Sequence, residues 1–250
     1  RDALGCRVFT FGEHTSMMSD AELTNYFDRL EAEAGDDGVV IYGTEPQSNG
    51  HDTNLYTLDR AAFARLRVLT LPDRRLGEIL RRMIDEFEPG TVAAIRHFHG
   101  APQSHLRALY GSDTAATWGT DDPAVVNTFL PGIEPAMEAM QVRGNALMGP
   151  VYGQPQFPAN FLNAGANIGL VGGSDHSGQI ESNAFCLTGF WVDEPTPRAV
   201  WDALWNRKTL ACANGKIAIW AESGGAGIGE SATPDDDGVV RIRAWLSAAH

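Results

Sequence analysis

Short apolar runs and amphipathic segments alternate along this chain. Each apolar run is followed by glycine or by a polar residue. The runs with strand character are 6–11, 39–42, 91–95 and 168–171. Between the first three of these runs lie two segments whose apolar residues recur at helical spacing, 20–34 and 73–87. This rhythm of strand and helix predicts an α/β fold with a mainly parallel sheet.

The two helical segments also have typical ends. Ser19 is a favourable N-cap residue, and acidic residues follow it in the first turn of the segment 20–34. The segment 73–87 has a continuous apolar stripe, and Pro89 and Gly90 follow it at the point where a helix would end. We therefore expect both segments to be helices.

The pattern in the second half of the sequence predicts shorter strands and helices. We expect strands at 138–142 and 185–192, helices at 123–129, 157–164 and 197–207, and a loop-rich region at 101–120. From Lys216 onward, apolar and polar residues alternate on both sides of a glycine-rich and then acidic turn, which is typical of a small antiparallel β unit. The expected organisation is one α/β domain over 1–212 and a β extension over 213–250.

Composition and charge narrow the classes of function. The chain has 250 residues, of which 43% are hydrophobic, and this is enough for the core of one α/β barrel. Its net charge of −13 argues against a nucleic-acid or anionic-membrane surface, because phosphates would not be neutralised over a wide area. A small anionic substrate remains compatible with this charge.

The cysteines and the apolar runs exclude further classes. The three cysteines, Cys6, Cys186 and Cys212, form no Cys-x-x-Cys pair, so neither a disulfide framework nor a structural zinc ribbon is indicated. No apolar run approaches membrane-spanning length. The chain begins at Arg1 without a signal peptide, so we expect either a cytoplasmic protein or one whose export signal lies upstream. The sequence does not set an oligomeric state.

Polar residues that can bind metals follow four of the strand-like runs. They are Glu13, His14, Glu45, His97, His99, Asp175 and His176. In a parallel barrel the carboxyl ends of the strands meet at one rim, so these side chains are expected to converge there. Imidazole and carboxylate ligands suit Zn, Mn or Fe, and such ions supply hydroxide at neutral pH. The pattern therefore indicates a metal-dependent hydrolase.

Each candidate residue also has a simpler interpretation. Asp175 and His176 could form a hydrogen-bonded pair in a loop, and His51 could pair with Asp52 in a turn. His14 could cap the helix that starts near Ser19 or lie on the surface. Glu45 could be a solvated loop acid. The number of histidines in such positions favours the metal interpretation. Five of the seven histidines lie beside acids at strand ends or next to glycine.

Several segments together resemble the PHP (polymerase and histidinol phosphatase) metallophosphoesterases, and in particular a poorly characterised PHP-like branch. The segments that carry the resemblance are Gly172–Gly178, Tyr42–Glu45, Gly50–Tyr56, Arg96–His99, Arg198–Arg207 and Ala213–Ile217. The resemblance extends over about 6–229. The most specific match is Arg198–Arg207, which is followed by a turn with Gly and Ile. It has the residues of the pattern Arg-x-x-x-Trp-x-Ala-Leu-x-x-Arg, with one residue fewer between the first Arg and the Trp.

The resemblance implies a distorted (β/α) barrel of PHP type that holds one to three divalent ions of Mn, Zn or Fe. The implied ligands are Glu13, His14, Glu45, His51, His97, His99, Asp175 and His176. His99 could instead orient the substrate. Arg96 and Arg143, at strand ends, are expected to hold a small anionic substrate such as a phosphate ester. The implied activity is phosphoester hydrolysis.

Two features depart from the family pattern. The opening His-x-His motif is missing, and Glu13-His14 fits the second motif better, with Glu13 in place of Asp. The final Ser-Asp-x-His motif is one residue short, since His176 follows Asp175 directly. The missing His-x-His motif has two explanations. Residues upstream of this sequence could supply the pair, or the protein could have lost a metal or the activity. A catalytically silent binding module and a hydrolase of another ester or amide bond therefore remain as alternatives.

Overall fold

A computed structural model of the protein describes residues 7–10, 12, 14–46, 53–70, 76–96, 130–141, 144–145, 162, 165–173, 186–213 and 217–248. Its strands are β1 Val8–Thr10, β2 Val39–Thr44, β3 Thr53–Thr57, β4 Val92–Arg96, β5 Ala136–Gln141, β6 Gly144–Asn145, β7 Gly169–Gly173, β8 Cys186–Phe190, β9 Thr209–Ala213, β10 Ile217–Glu222 and β11 Arg243–Ala248. Its helices are α1 Asp20–Ala34, α2 Arg60–Leu69, α3 Leu76–Glu86 and α4 Pro197–Trp205, with a 3-10 turn at Thr15–Met17.

Seven of the described strands form one mixed sheet that curls as a half-barrel. The order is β1-β2-β3-β4-β5-β6, and β7 also pairs with β5. Strand β1 runs parallel to β2, and β5 runs parallel to both β4 and β7. Strand β3 runs antiparallel to its two neighbours, β2 and β4. As a result β1, β2, β4, β5 and β7 all end at the same edge of the sheet, which we call the carboxyl edge, and β3 begins there.

The fold is thus the expected mixture of strands and helices, but the sheet is less regular than the alternating pattern predicts. Strand β3 and helix α2 were not among the predicted elements. In α2 only Phe63, Leu66 and Leu69 are buried, and arginines separate them, so the apolar stripe is narrow. The predicted strand at 138–142 is present, but it begins earlier, as β5.

The predicted ends of α1 are confirmed by its hydrogen bonds, and α4 begins at the predicted Pro197 but ends at Trp205, two residues before the predicted end. The Ser19 hydroxyl accepts a hydrogen bond from the Glu22 backbone N–H, and the Glu22 carboxylate accepts one from the Ser19 backbone N–H at 2.8 Å. This reciprocal arrangement is a capping box. Helix α1 ends at Gly35, whose φ of 64° favours glycine. Helix α4 has Thr196 as its N-cap, with proline in the first turn.

Among the described residues, three hydrophobic clusters hold the helices to the sheet. The first packs α2 and α3 against β3 and β4, the second packs α4 against the sheet, and the third packs α1 against α2. In the second cluster Trp201 is almost fully buried, and its indole N–H donates to the Gly90 carbonyl at 2.7 Å. In the third, the rings of Phe27 and Phe63 meet edge to face at 4.8 Å. These contacts fix the sheet that carries the carboxyl edge.

The C-terminal residues form the predicted antiparallel unit. Strands β10 and β11 pair in register from Ile217↔Ala248 to Glu222↔Arg243. Strands β8 and β9 form another antiparallel pair. The Thr188 hydroxyl links β8 to β7 through hydrogen bonds with the Gly172 backbone. A domain boundary between 212 and 213 stays a prediction.

Some predicted elements lie outside the described residues. They are the loop-rich region 101–120, the helix 123–129 and most of the helix 157–164. Among the helices that the structure describes, none is both long enough and apolar enough to cross a membrane.

Candidate functional site

The carboxyl edge brings together the strand ends that adjoin the predicted site residues. Strand β2 ends directly before Glu45, and β4 ends directly before His97. Strand β7 ends two residues before Asp175, and β3 begins two residues after His51. Because all of these strand ends lie at one edge, each of these predicted ligand segments adjoins the same edge of the sheet.

Most of the predicted site residues lie outside the described residues. They are Glu13, His51, His97, His99, Arg143, Asp175 and His176. Their roles as ligands or substrate-binding residues stay predictions. The structure describes the other three predicted residues, His14, Glu45 and Arg96.

His14 and Glu45 lie together after the ends of β1 and β2. His14 Nδ1 is 3.2 Å from the backbone carbonyl oxygen of Glu45, and the buried Thr15 hydroxyl donates to the Thr44 hydroxyl at 2.6 Å. Glu45 is only 6% exposed, so the interpretation of this residue as a solvated loop acid is wrong. His14 makes no side-chain cap, and the cap of α1 belongs to Ser19. Both residues therefore lie at the carboxyl edge.

Arg96 is bound to a carboxylate that the sequence did not indicate as its partner. The Nε and Nη2 atoms of Arg96 donate to the two oxygens of Glu134, the second at 2.8 Å. Both side chains are almost completely buried, at 4% and 3% exposure. Glu134 also accepts the backbone N–H of Leu130 at 2.8 Å. This bidentate pair joins the end of β4 to the segment that leads into β5, so Arg96 has a structural contact independent of any substrate.

Glu138 is a second buried carboxylate at this edge that the sequence analysis missed as a site residue. It lies on β5 and is 5% exposed. Its Oε1 atom is 2.5 Å from the position that a Cβ of Gly173 would occupy, so the carboxylate fills space that is open only because residue 173 is glycine. The available signal was the single charge inside the apolar run Ala136–Met140.

The charges of Glu45 and Glu138 both act on Tyr56. Burial of its hydroxyl raises the pKa of Tyr56, and the charges of Glu138 and Glu45 raise it further. Hydrogen bonds with Thr10 and Asn54 act in the opposite direction without reversing the shift. The phenol is therefore protonated at neutral pH, and Glu45 and Glu138 both lie near it.

The donors at the carboxyl edge have the chemistry that a divalent cation requires. Carboxylates from Glu45 and Glu138 and the imidazole of His14 suit Zn, Mn or Fe. Within the part of the chain that the structure describes, no three His, Cys, Asp or Glu side chains are grouped closely enough to hold an ion. A metal site at this edge would need further ligands, and the segments from which they are predicted lie outside the described residues.

Comparison with known proteins gives a structural likeness without a sequence match. No family model matches the chain, and no curated protein matches it. A crystal structure of a two-domain protein from Bacteroides vulgatus, which contains a predicted PHP-like metal-dependent phosphoesterase, aligns with 84% of this chain at 14% identity and a TM-score of 0.53. The two proteins share a fold. This chain spans only 56% of the length of that PHP-like protein, so the likeness concerns the fold and not the activity of the whole neighbour.

Proposed function

We propose that this protein is a metal-dependent hydrolase that acts on a small phosphate ester. The observation that carries the proposal is the convergence of five strand ends at the carboxyl edge, where Glu45 and Glu138 are buried. The PHP-like fold of the structural neighbour gives independent support.

The proposed ligands combine the described and the predicted residues. They are Glu13, His14, Glu45, His51, His97, His99, Asp175 and His176. A divalent ion held by such ligands lowers the pKa of a bound water and polarises a phosphoryl oxygen. The imidazole of His14 has its Nδ1 directed to the Glu45 carbonyl, a contact that fixes the orientation of the ring, as is usual for metal-binding histidines.

Arg143 is the better candidate for binding the anionic group of the substrate. Arg96 was predicted to share this role, but the Nε and Nη2 edge of its guanidinium is bound to Glu134. Arg143 follows the end of β5 by two residues, at the same edge of the sheet. Its guanidinium would pair with a phosphate in a bidentate manner.

The first experiment measures metal binding and hydrolysis together. The purified protein is freed of metal, loaded with Mn²⁺, Zn²⁺ or Fe²⁺, desalted and analysed for metal per chain, and then assayed with p-nitrophenyl phosphate and bis(p-nitrophenyl) phosphate. We expect bound metal and hydrolysis of at least one ester. Less than about a tenth of a metal equivalent per chain would contradict the proposal.

A pair of matched variants then locates the activity. Asp175→Asn removes a predicted ligand charge, whereas Asp36→Asn removes the same charge from an exposed turn after α1. We expect Asp175→Asn to reduce hydrolysis by at least about 10- to 100-fold, the loss found even for groups that only support metal ligands. Asp36→Asn should have the parent activity. Equal activity in both variants would show that the site lies elsewhere.

A second candidate function is a metal-binding module without catalysis. It is favoured by one observation, because no His-x-His pair precedes Glu45 in this sequence. Full metal loading without hydrolysis of either ester would favour this candidate. Hydrolysis that depends on the loaded metal would exclude it.

A further inference from the structure

We infer that Arg67, on α2, is a positioning residue for His14. It fixes the 3-10 turn Thr15–Met17, and the fixed turn holds the His14 imidazole against the end of β2 with a proton on Nδ1. The inference rests on the proposed function, in which His14 is a ligand. It extends that function to an arginine that lies 52 residues from Thr15 in the sequence and that the sequence analysis did not single out.

The turn that follows His14 is short and needs support from other elements. Its backbone hydrogen bonds run from the Met17 N–H to the His14 carbonyl and from the Met18 N–H to the Thr15 carbonyl, both at 3.1 Å. The side chain of His14 does not cap the turn. A single 3-10 turn has poorer hydrogen-bond geometry than an α-helix. The position of His14 therefore depends on what holds the turn from outside.

Arg67 holds one side of the turn. Its Nε donates to the Thr15 carbonyl at 3.0 Å and its Nη2 donates to the Met18 carbonyl, so one guanidinium bridges both ends of the turn. Its Nη1 donates to Asp20 at 2.5 Å. The Arg67 side chain is 15% exposed, whereas that of Asp20 is 97% exposed. The pair with Asp20 is thus open to water, and the two carbonyl contacts are the shielded part of the arrangement.

Helix α2 gives this guanidinium a rigid base. Phe63, Leu66 and Leu69 are buried in the hydrophobic clusters that join α2 to α1, to α3 and to the sheet. Arg67 follows Leu66 directly, so its backbone is fixed by this packing. The guanidinium is also a planar fork, which bridges two acceptors with little loss of side-chain freedom. The position of α2 is therefore transmitted to the turn.

The other side of the turn is bound to the end of β2. The Thr15 hydroxyl donates to the Thr44 hydroxyl at 2.6 Å, and both residues are completely buried. The preceding residue of the turn segment contacts the following residue of the strand segment, since His14 Nδ1 lies 3.2 Å from the Glu45 carbonyl oxygen. The segment that carries His14 is thus held between α2 and β2.

The contact with Glu45 assigns the tautomer of a neutral His14. A backbone carbonyl oxygen can only accept a hydrogen bond, so Nδ1 of His14 is the donor. The lone pair of the neutral ring then lies on Nε2, the nitrogen that would bind an ion or accept a proton. If the turn shifts, this hydrogen bond is lost and both tautomers become populated. The tautomer of His14 therefore reports whether the turn is held in place.

The test reads this tautomer in the metal-free protein. Arg67→Met removes the hydrogen bonds to both carbonyls but keeps an apolar side chain. Arg198→Met makes the same change in an exposed pair on α4, where the arginine side chain is 79% exposed, and is the matched control. Two-bond ¹H–¹⁵N correlation spectra, recorded at about pH 9 where ordinary imidazoles are neutral, distinguish the protonated from the unprotonated ring nitrogen. His14→Gln identifies the signals of His14.

We expect His14 to carry its proton on Nδ1 in the parent and in Arg198→Met, and to show a mixture of both tautomers in Arg67→Met. After loading with Mn²⁺ or Zn²⁺, we expect Arg67→Met to lose about 10- to 100-fold in metal affinity or in kcat/KM, as found for groups that orient metal ligands. A merely structural role of Arg67 would lower the unfolding temperature but would leave the tautomer in the folded protein unchanged.

Each outcome decides the inference. A parent His14 protonated on Nε2, or the same tautomer in Arg67→Met as in the parent, would overturn it, and the proposed function would stand if the parent binds metal and hydrolyses an ester. A parent that binds no metal would overturn the proposed function, and the spectrum of the metal-free protein would still decide the positioning role.

A second variant covers the case in which Arg67→Met does not fold. Arg67→Lys keeps the charge but replaces the fork by a single ammonium group, which does not reproduce the paired contacts with Thr15 and Met18. A mixture of His14 tautomers in folded Arg67→Lys would support the inference. The parent tautomer in that protein would refute it.

Discussion

The buried pair of Arg96 and Glu134 gives the sharpest prediction about stability. Two hydrogen bonds join the side chains, neither side chain is more than 4% exposed, and Glu134 also accepts the Leu130 backbone N–H. Glu134→Gln keeps the shape of the side chain but removes the carboxylate charge that faces the guanidinium of Arg96. Removing one partner of a buried pair costs about 3–5 kcal/mol.

A loss of this size is a large fraction of the total stability, because folded proteins unfold with a free energy of only about 5–15 kcal/mol. We expect Glu134→Gln to lower the free energy of unfolding, measured by urea denaturation, by about 3–5 kcal/mol. The control is Asp202→Asn, which breaks the exposed pair with Arg198 on α4. Exposed pairs at this helical spacing contribute about 0.3–0.5 kcal/mol, so the control should change stability very little.

A double variant separates the charge effect from loss of packing. Arg96→Met combined with Glu134→Leu removes both charges and retains apolar volume, and replacement of a buried pair in this way is often neutral or stabilising. We expect the double variant to be more stable than Glu134→Gln, although the Leu130 N–H loses its acceptor. A loss of less than about 1 kcal/mol in Glu134→Gln, equal to that of an exposed pair, would refute this reasoning.

Two further predictions concern α1 and the residues that pack against it. Ser19→Ala removes the capping box and should lower the free energy of unfolding by about 1 kcal/mol, whereas Ser19→Asp should retain most of it; equal stability of the three proteins in urea would contradict the cap. Burial and the hydrogen bond to Glu31 raise the pKa of Tyr42 to about 12. Because the folded pKa lies above the unfolded value of 10.0, stability from this group is complete below pH 10 and is lost as the pH rises towards 12. Urea denaturation at several pH values should show a smaller loss over this range in Tyr42→Phe than in the parent, and identical slopes would contradict the assignment.

Arg96 shows how burial changes the interpretation of a candidate residue. Its place at the end of an apolar run predicts a group that faces substrate. The structure instead pairs it with Glu134, 38 residues away in sequence. A substrate role for Arg96 stays a prediction, but the pair already explains why an arginine is present at this position. Its structural effect is to hold the end of β4, from which the predicted ligands His97 and His99 follow.

Much of the secondary structure could be predicted from the sequence because its signals are local. The Ser19 cap and the Gly35 end of α1 depend on groups within one or two turns of the helix. The apolar stripe of α3 and the antiparallel pattern of the tail likewise repeat over a few residues. Helix α2 escaped prediction because three buried residues among arginines give a weak periodic signal.

The sequence by itself determined where the main strands and helices lie and which acids and histidines follow strand ends. Only the tertiary structure decided that β3 is antiparallel, that Glu134 binds Arg96 and that Glu138 lies in the space at Gly173. The physical reason is that periodicity records which side of an element is buried, but it does not record which distant element covers that side. Strand order and register set those contacts, and the carboxyl edge exists only once they are formed.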